Sequence, residues 1–427
     1  MDPRQLGVGG AKQSRGDRDR RLWRSQRCAE TALPRKQPGP AVHRRDPQPT
    51  LCGTALRSSD ARARQRHGHR NTCSSISRRE AMTLAQWLTE RPSRYTGLLI
   101  ALTLLLLTSC VVCITFGAAP VPLNRVMGIL MFKLFGINEN PQLWTAGQET
   151  IVWLIRTPRV LLGVLAGAGL ALIGSVLQAA TRNPLADPHL LGATSGATLG
   201  AVIVVMHVGE VFGMLTLPLA AFVGSLVSLC LVLWLSSHKG RLDSQRLLLG
   251  GVAVSFVMMA IANLSLFLGD HRASSSVLFW MLGGLGLARW ELLTVPLITV
   301  LSGWVLLQGL GRSLNALMGG DQTATSLGLQ VRNVRLLVFL IASLMTGVLV
   351  ALCGSIGFVG LMVPHIARRL VGSEHRRLLP VATLLGGLLM IWVDVVSRTL
   401  IAPEDLPIGI ATALLGGMFF IFMMKRD

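Results

Sequence analysis

Residues 357–372 read GFVGLMVPHIARRLVG, an apolar run that stops in proline, histidine and two arginines. Whether this stretch crosses a membrane decides the fold. The chain has 427 residues, of which 51% are hydrophobic and only 15% charged, against the ~25% charged residues usual in soluble domains. A hydrocarbon core about 30 Å thick is crossed by a helix of roughly 20 apolar residues. Runs of that kind, or close to it, lie at 97–117, 159–180, 193–208, 214–236, 247–268, 291–310, 335–353, 379–397 and 407–424. The opening stretch, taken as 354–371, is a shorter candidate, broken by Gly357, Gly360 and Pro364.

Loop charge settles the count. With a cytoplasmic start and ten crossings, the inner side collects Arg182, Lys239, Arg246, Arg312, Arg335, Arg368, Arg369, Arg376, Arg377 and others. The outer side keeps Arg125, Lys133, Arg156, Arg159, Arg272, Arg289 and Arg398. Without a crossing at 354–371 the four arginines from 368 to 377 would fall outside, against the rule that short cytoplasmic loops gather positive charge. The predicted fold is therefore all-α. It is a polytopic membrane protein of about ten transmembrane helices, with short or broken spans and both termini cytoplasmic.

Residues 1–81 are different. They hold nineteen of the basic residues against seven acids, with no long apolar run, and such a composition predicts disorder. A nucleic-acid arm would be expected to interleave aromatics with its charge, so no nucleic-acid partner is expected. Because MTLAQWLTERPSRYTGLL already reads as a cytoplasmic lead-in, Met82 is the expected start, with 1–81 an extension from a misassigned one and 82–427 the transmembrane domain.

Catalytic chemistry is not expected. The spans hold few ionisable groups, His207 and Asp394 among them, and Asp394 stands one helical turn before Arg398. There is no His-Glu-x-x-His, Gly-x-Ser-x-Gly or phosphate-binding Gly-x-x-x-x-Gly-Lys motif. No catalytic residue, metal site or cofactor is predicted, and the shortage of membrane acids counts against an ion-coupled carrier. If ATP drives transport, a separate subunit must bind it. The cysteines form no disulfide framework, and Cys110-x-x-Cys113, although it has redox spacing, reads inside a span as a pair of small soft fillers.

What is present is polar punctuation at span ends. Arg156 and Arg159, three apart at the outer mouth of the second span, could face one direction, with Arg398 on the same side. Interfacial snorkelling is the plain reading; docking of a soluble partner's carboxylates is the sharper one. In QAATRNPLADPHLLGATSGA, Pro184 and Pro188 stop helices while Asn183 and Asp187 are suited to satisfy free backbone groups. Pro188-His189 echoes Pro364-His365, a hint of an inverted repeat. Gly192, Gly196 and Gly200, and likewise Gly163 and Gly167, have the spacing that lets helices approach closely. At 317–335 the segment DQTATSLGL predicts a brief surface helix begun at Asp321 and ended at Gly328.

Taken in order, RTPR, GLALIGSVLQAATRNPLADPHLLG, GDQTATSLGL, GSIGFVGLMVPHIARRLVGSEHRRLLP and DVVSRTLIAPEDLPIGIATALLGGMFF resemble the permeases of the iron-siderophore and cobalamin (FecCD-type) class of ABC importers. The resemblance covers Met82 to Asp427 and leaves 1–81 without a counterpart. It implies a multi-pass subunit of the bacterial inner membrane that dimerises with a second permease subunit around one pathway. Cytosolic ATP-binding subunits would dock on a coupling segment at Asp321, Thr323, Ala324, Leu327 and Gly328. A periplasmic substrate-binding protein would dock through Arg156, Arg159 and Arg398. Ferric siderophore is the implied cargo, with haem and cobalamin the alternatives and an ion-coupled carrier the rival of a different class.

Returning to 357–372, His365 has no second ligand at metal spacing. Gly357, Gly360, Pro364 and His365 therefore read as a broken span beside the pathway, with Pro364 in the first turn of a short helix and His365 satisfying backbone at the break. A chain started at Met82 is expected to insert and transport as the full chain does; loss of uptake in a vesicle assay would give residues 1–81 a role.

Overall fold

The computed structural model describes residues 85, 92–136, 144–189, 192–209, 211–238, 241–242, 244–269 and 277–426; the expected N-terminal extension, residues 1–81, lies outside them. Each of the ten apolar runs becomes a helix, because a chain in hydrocarbon must satisfy its backbone internally. Eight are long and apolar enough to cross a membrane: α1 (Pro92–Thr115), α3 (Ala146–Thr181), α5 (Thr216–Ser236), α6 (Ser244–Leu268), α7 (Trp290–Gly309), α10 (Val331–Cys353), α12 (His375–Thr399) and α13 (Ile408–Arg426). Two are shorter, α4 (Ala193–Val208) and α11 (Val359–Val371). Between spans lie α2 (Leu123–Phe135), α8 (Gly311–Met318) and α9 (Asp321–Ser326). A two-residue antiparallel pair, Ser237–His238 with Arg241–Leu242, closes the turn from α5 to α6.

Local chemistry sets the irregularities. Thr145 and Gln148 form a reciprocal capping box at the start of α3. Pro158 has no N–H to give, and the preceding turn, Thr150–Arg156, widens to π geometry, with the Thr157 N–H reaching Val152 O. The expected loop after α3 is built as the sequence suggested: Asn183 accepts from the Leu185 N–H at 2.8 Å and Asp187 from the His189 N–H at 2.8 Å. Gly192 sits at φ +78° ahead of α4, a conformation only glycine adopts without strain.

Two helices form the inside of the bundle. The apolar windows of α3 and α10 are 83% and 78% buried, whereas the other long spans range from 17% to 56%. α3 packs on α11 and α12, and α10 packs on α4 and α5. Each enclosed helix thus carries a short helix and the long helix that follows it. The two Pro-His pairs stand beside these two arrangements, Pro188-His189 ahead of α4 and Pro364-His365 within α11.

Lipid tails are as apolar as leucine, so helices in a membrane associate through close contact rather than water exclusion. The contact points are glycines. A side chain on Gly167 would meet the backbone of Gly386 on α12, one on Gly174 that of Gly360 on α11, one on Gly196 that of Gly224 on α5, and one on Gly200 that of Ala220. Gly167→Val is expected to lower the thermal stability of the detergent-solubilised protein by about 1–3 kcal/mol. Gly97→Ala, where an added Cβ meets nothing within 4 Å, should leave it unchanged.

Candidate functional site

Three polar clusters lie along the bundle. The first closes the C-terminal end of α1, whose last carbonyls have no donor of their own. Arg156 donates to Ile114 O at 3.0 Å, Thr115 O at 3.1 Å and Ala119 O at 2.6 Å. Arg398 donates to Phe116 O at 2.9 Å and Cys113 O at 3.2 Å. Two cations at the negative end of a helix dipole are favourable. Asp394, 1% exposed, balances them: it pairs with Arg398 at 2.9 Å and with Arg159 at 2.9 Å, and Arg159 reaches on to Asp405 at 2.6 Å.

This corrects how the three arginines present themselves. The sequence suggested guanidiniums aimed outward; the structure gathers them in one cluster but turns Arg156 and Arg398, each 5% exposed, into the protein. The unmet carbonyls of α1 and the buried carboxylate are stronger partners than the exterior. The charged group that faces out is Asp405, whose side chain is 46% exposed.

The second cluster holds α9, at the opposite end of α3. Its limits are those expected, starting at Asp321 and closing at Gly328, where φ is +81° and the Leu329 N–H returns to Ala324 O at 3.0 Å. Ala324 is buried, whereas Thr323, Leu327 and Gly328 are exposed. Arg335 of α10, 2% exposed, grips Asp321 through both terminal nitrogens at 2.7 and 3.0 Å and donates its Nε to Ala180 O of α3 at 2.9 Å. Arg182 stands 3.6 Å from the same carboxylate.

The third is the broken span. α11 begins at Val359 behind Phe358, which takes φ +68°, so Pro364 lies in its second turn rather than its first. A proline there cannot donate to the carbonyl four residues back, and that carbonyl belongs to Gly360. Gln178 of α3 supplies the missing bond: its side-chain amide donates to Gly360 O at 3.0 Å, while its Oε1 accepts from Arg368 at 2.6 Å. The freed carbonyl of Gly360 thus goes to Gln178; His365 lies edge-on to Phe419 of α13, 5.8 Å between ring centroids. Gln178 and Arg335 were missed because a lone glutamine and a span-end arginine carry no motif.

A groove of about 810 Å³ runs along α13 beside this break. Gly357, Phe358 and Leu361 line it from the break, Gly409 to Phe420 from α13, and Asp187 and His189 from the loop after α3. Burial pushes the Asp187 carboxyl above the usual carboxylate range, against the opposing pull of the His189 N–H. A smaller cavity of about 360 Å³ opens beside Arg159 and Asp405, against Trp280. No cluster of three or more potential metal ligands occurs among the described residues. Gly192, Gly196 and Gly200 lie apart from all three clusters, in the α4–α5 contact.

Comparison with known proteins agrees with this architecture. The hemin transport system permease protein of Yersinia pestis is 37% identical over 298 residues, 69% of this chain and 87% of its own length. The cobalamin import system permease protein of Halobacterium salinarum is 37% identical over 291 residues, 68% of this chain and 76% of its own. A solved ABC transporter described as of metal-chelate type, in an inward-facing conformation, superposes with a TM-score of 0.67 at 31% identity, covering 78% of this chain and all of that one. The profile of the FecCD transport family matches residues 104–426. With eight helices among the described residues long and apolar enough to cross a membrane, the chain is a multi-pass inner-membrane permease of an ABC importer and belongs to the FecCD transport family.

Proposed function

We propose that this permease carries a metal chelate, a metal ion held inside an organic ligand, across the bacterial inner membrane with energy from separate ATP-binding subunits. The groove beside the broken span carries the reading. Its walls are apolar apart from Asp187, His189 and Ser355, so it offers surface to a large organic body and few donors to a bare oxyanion. Ferric siderophore is the class suggested by the sequence resemblance. Haem or cobalamin is the second reading, favoured by the cargoes in the names of the hemin and cobalamin relatives.

The surfaces support a set of partners. In this reading α9 receives the ATP-binding subunits, with Leu327, 67% exposed, as its apolar tip and both chain termini on the same cytoplasmic side. A substrate-binding protein docks at the opposite end through Arg159, competing with its bond to the exposed Asp405, rather than through the enclosed Arg156 and Arg398. A second permease subunit covers the open side of the groove, where α13 exposes Leu414, Met418, Ile421 and Phe422. Residues 82–427 are the transporting unit.

Reconstituted vesicles holding the permease, its ATPase and its binding protein test the reading. ATP-dependent uptake of a ferric siderophore is expected, with haem, cobalamin and molybdate run alongside to rank the cargo. Uptake that persists without ATP and collapses with the proton gradient would make the protein an ion-coupled carrier. Leu327→Asp should weaken co-purification of the ATPase by about tenfold or more, because it removes a central apolar anchor. Asp405→Asn frees one side of Arg159 while its bond to Asp394 stays. A binding protein that reads Arg159 should then bind severalfold tighter, and an unchanged affinity would remove Arg159 from that interface.

A further inference from the structure

Three connections leave α3 within its last turn and the residue that follows it. The Gln178 side chain holds Gly360 O and Arg368 of α11. The Ala180 carbonyl accepts from Arg335, which holds Asp321 of α9 through two nitrogens. Arg182 faces Asp321 as well, at 3.6 Å. The exposed surface helix and the break beside the groove are therefore fastened to the same short piece of backbone, on the most enclosed helix of the bundle.

We propose that Gln178 is a positioning residue that transmits displacement of α9 to the broken span, and so couples ATP hydrolysis to opening of the groove; this rests on α9 being the ATPase surface. The residue type fits the task. A primary amide both donates and accepts, and here each half is used on a different part of α11. Its N–H takes the carbonyl that Pro364 leaves without a donor, and its oxygen takes Arg368, eight residues further along. Eight residues of helix rise about 12 Å, so the Arg368 side chain reaches back along α11 to the amide, which is thereby tied to two separated backbone positions of that helix and restrains its tilt as well as its position. Gly174 and Gly360, in backbone contact one turn away, supply the pivot, because nothing larger than hydrogen fits between them.

The experiment compares Gln178→Leu with the double variant Gln178→Leu, Pro364→Ala in the complete complex with ATPase and binding protein. In the double variant the alanine introduced in place of Pro364 brings a backbone N–H that is free to bond Gly360 O, so the carbonyl is satisfied without Gln178. Gln178→Leu is expected to lower cargo transported per ATP hydrolysed by at least about fivefold, a typical size for coupling between sites, while hydrolysis itself stays within about twofold. The double variant should regain thermal stability but keep the low ratio. A ratio restored in the double variant would reduce Gln178 to a carbonyl partner and overturn the proposal. An unchanged ratio in the single variant, or loss of the ATPase from it, would overturn it as well. Failure of the α9 reading looks different: Leu327→Asp would then leave the ATPase bound, whatever Gln178→Leu does to the ratio.

Discussion

A carbonyl that loses its donor inside a membrane has no water to turn to, and an unmet one costs several kcal/mol. Pro364 creates such a carbonyl at Gly360, and the single bond from Gln178 resolves it. Much of the bundle is arranged to make that bond possible. Gln178 must come close to α11, which requires Gly174 and Gly360 to touch. The C-terminal half of α3 must be enclosed, as Ala166 to Thr181 are, so that a polar amide at its end meets protein and not lipid. The break in α11 is thereby held open as a defined shape, and the groove beside α13 follows from it.

The same rule governs the other end of the membrane. α1 finishes with carbonyls that its own helix cannot satisfy, and Arg156 and Arg398 supply the donors. Bringing two guanidiniums into the protein demands a counter-charge, and Asp394 provides it for Arg398 and for Arg159. A buried charge without its partner is strongly destabilising, so this cluster works as one unit. Its outward edge is the Arg159–Asp405 pair. The region therefore holds α1, α3 and α12 together first, and offers a partner only that edge.

Two short helices stand among the long spans. α3 and α10 are the enclosed pillars, and each is paired with a short helix, α11 or α4, that it packs against across the bundle. The short helices leave room for turns and loops covered largely by protein, which is where irregular backbone is tolerated. One of these turns carries the break beside the groove. The other, before α4, uses Gly192 and a bond from Ser228 to its carbonyl at 2.6 Å.

The sequence by itself determined the membrane class, the ten apolar segments and the limits of α9, because hydropathy, proline, glycine and cap residues act over a few neighbours. It also marked Asn183 and Asp187 as backbone partners, for the same local reason. Only the tertiary structure decided where the long polar side chains point. Arg156 meets carbonyls some 40 residues earlier in the chain, and Gln178 meets Gly360 at a separation of 182 residues. Such side chains turn to whichever unmet group folding brings within reach, and no local pattern encodes that. The outward arginines expected from the sequence turn inward for this reason, and the glutamine that closes the break stayed silent until the helices were packed.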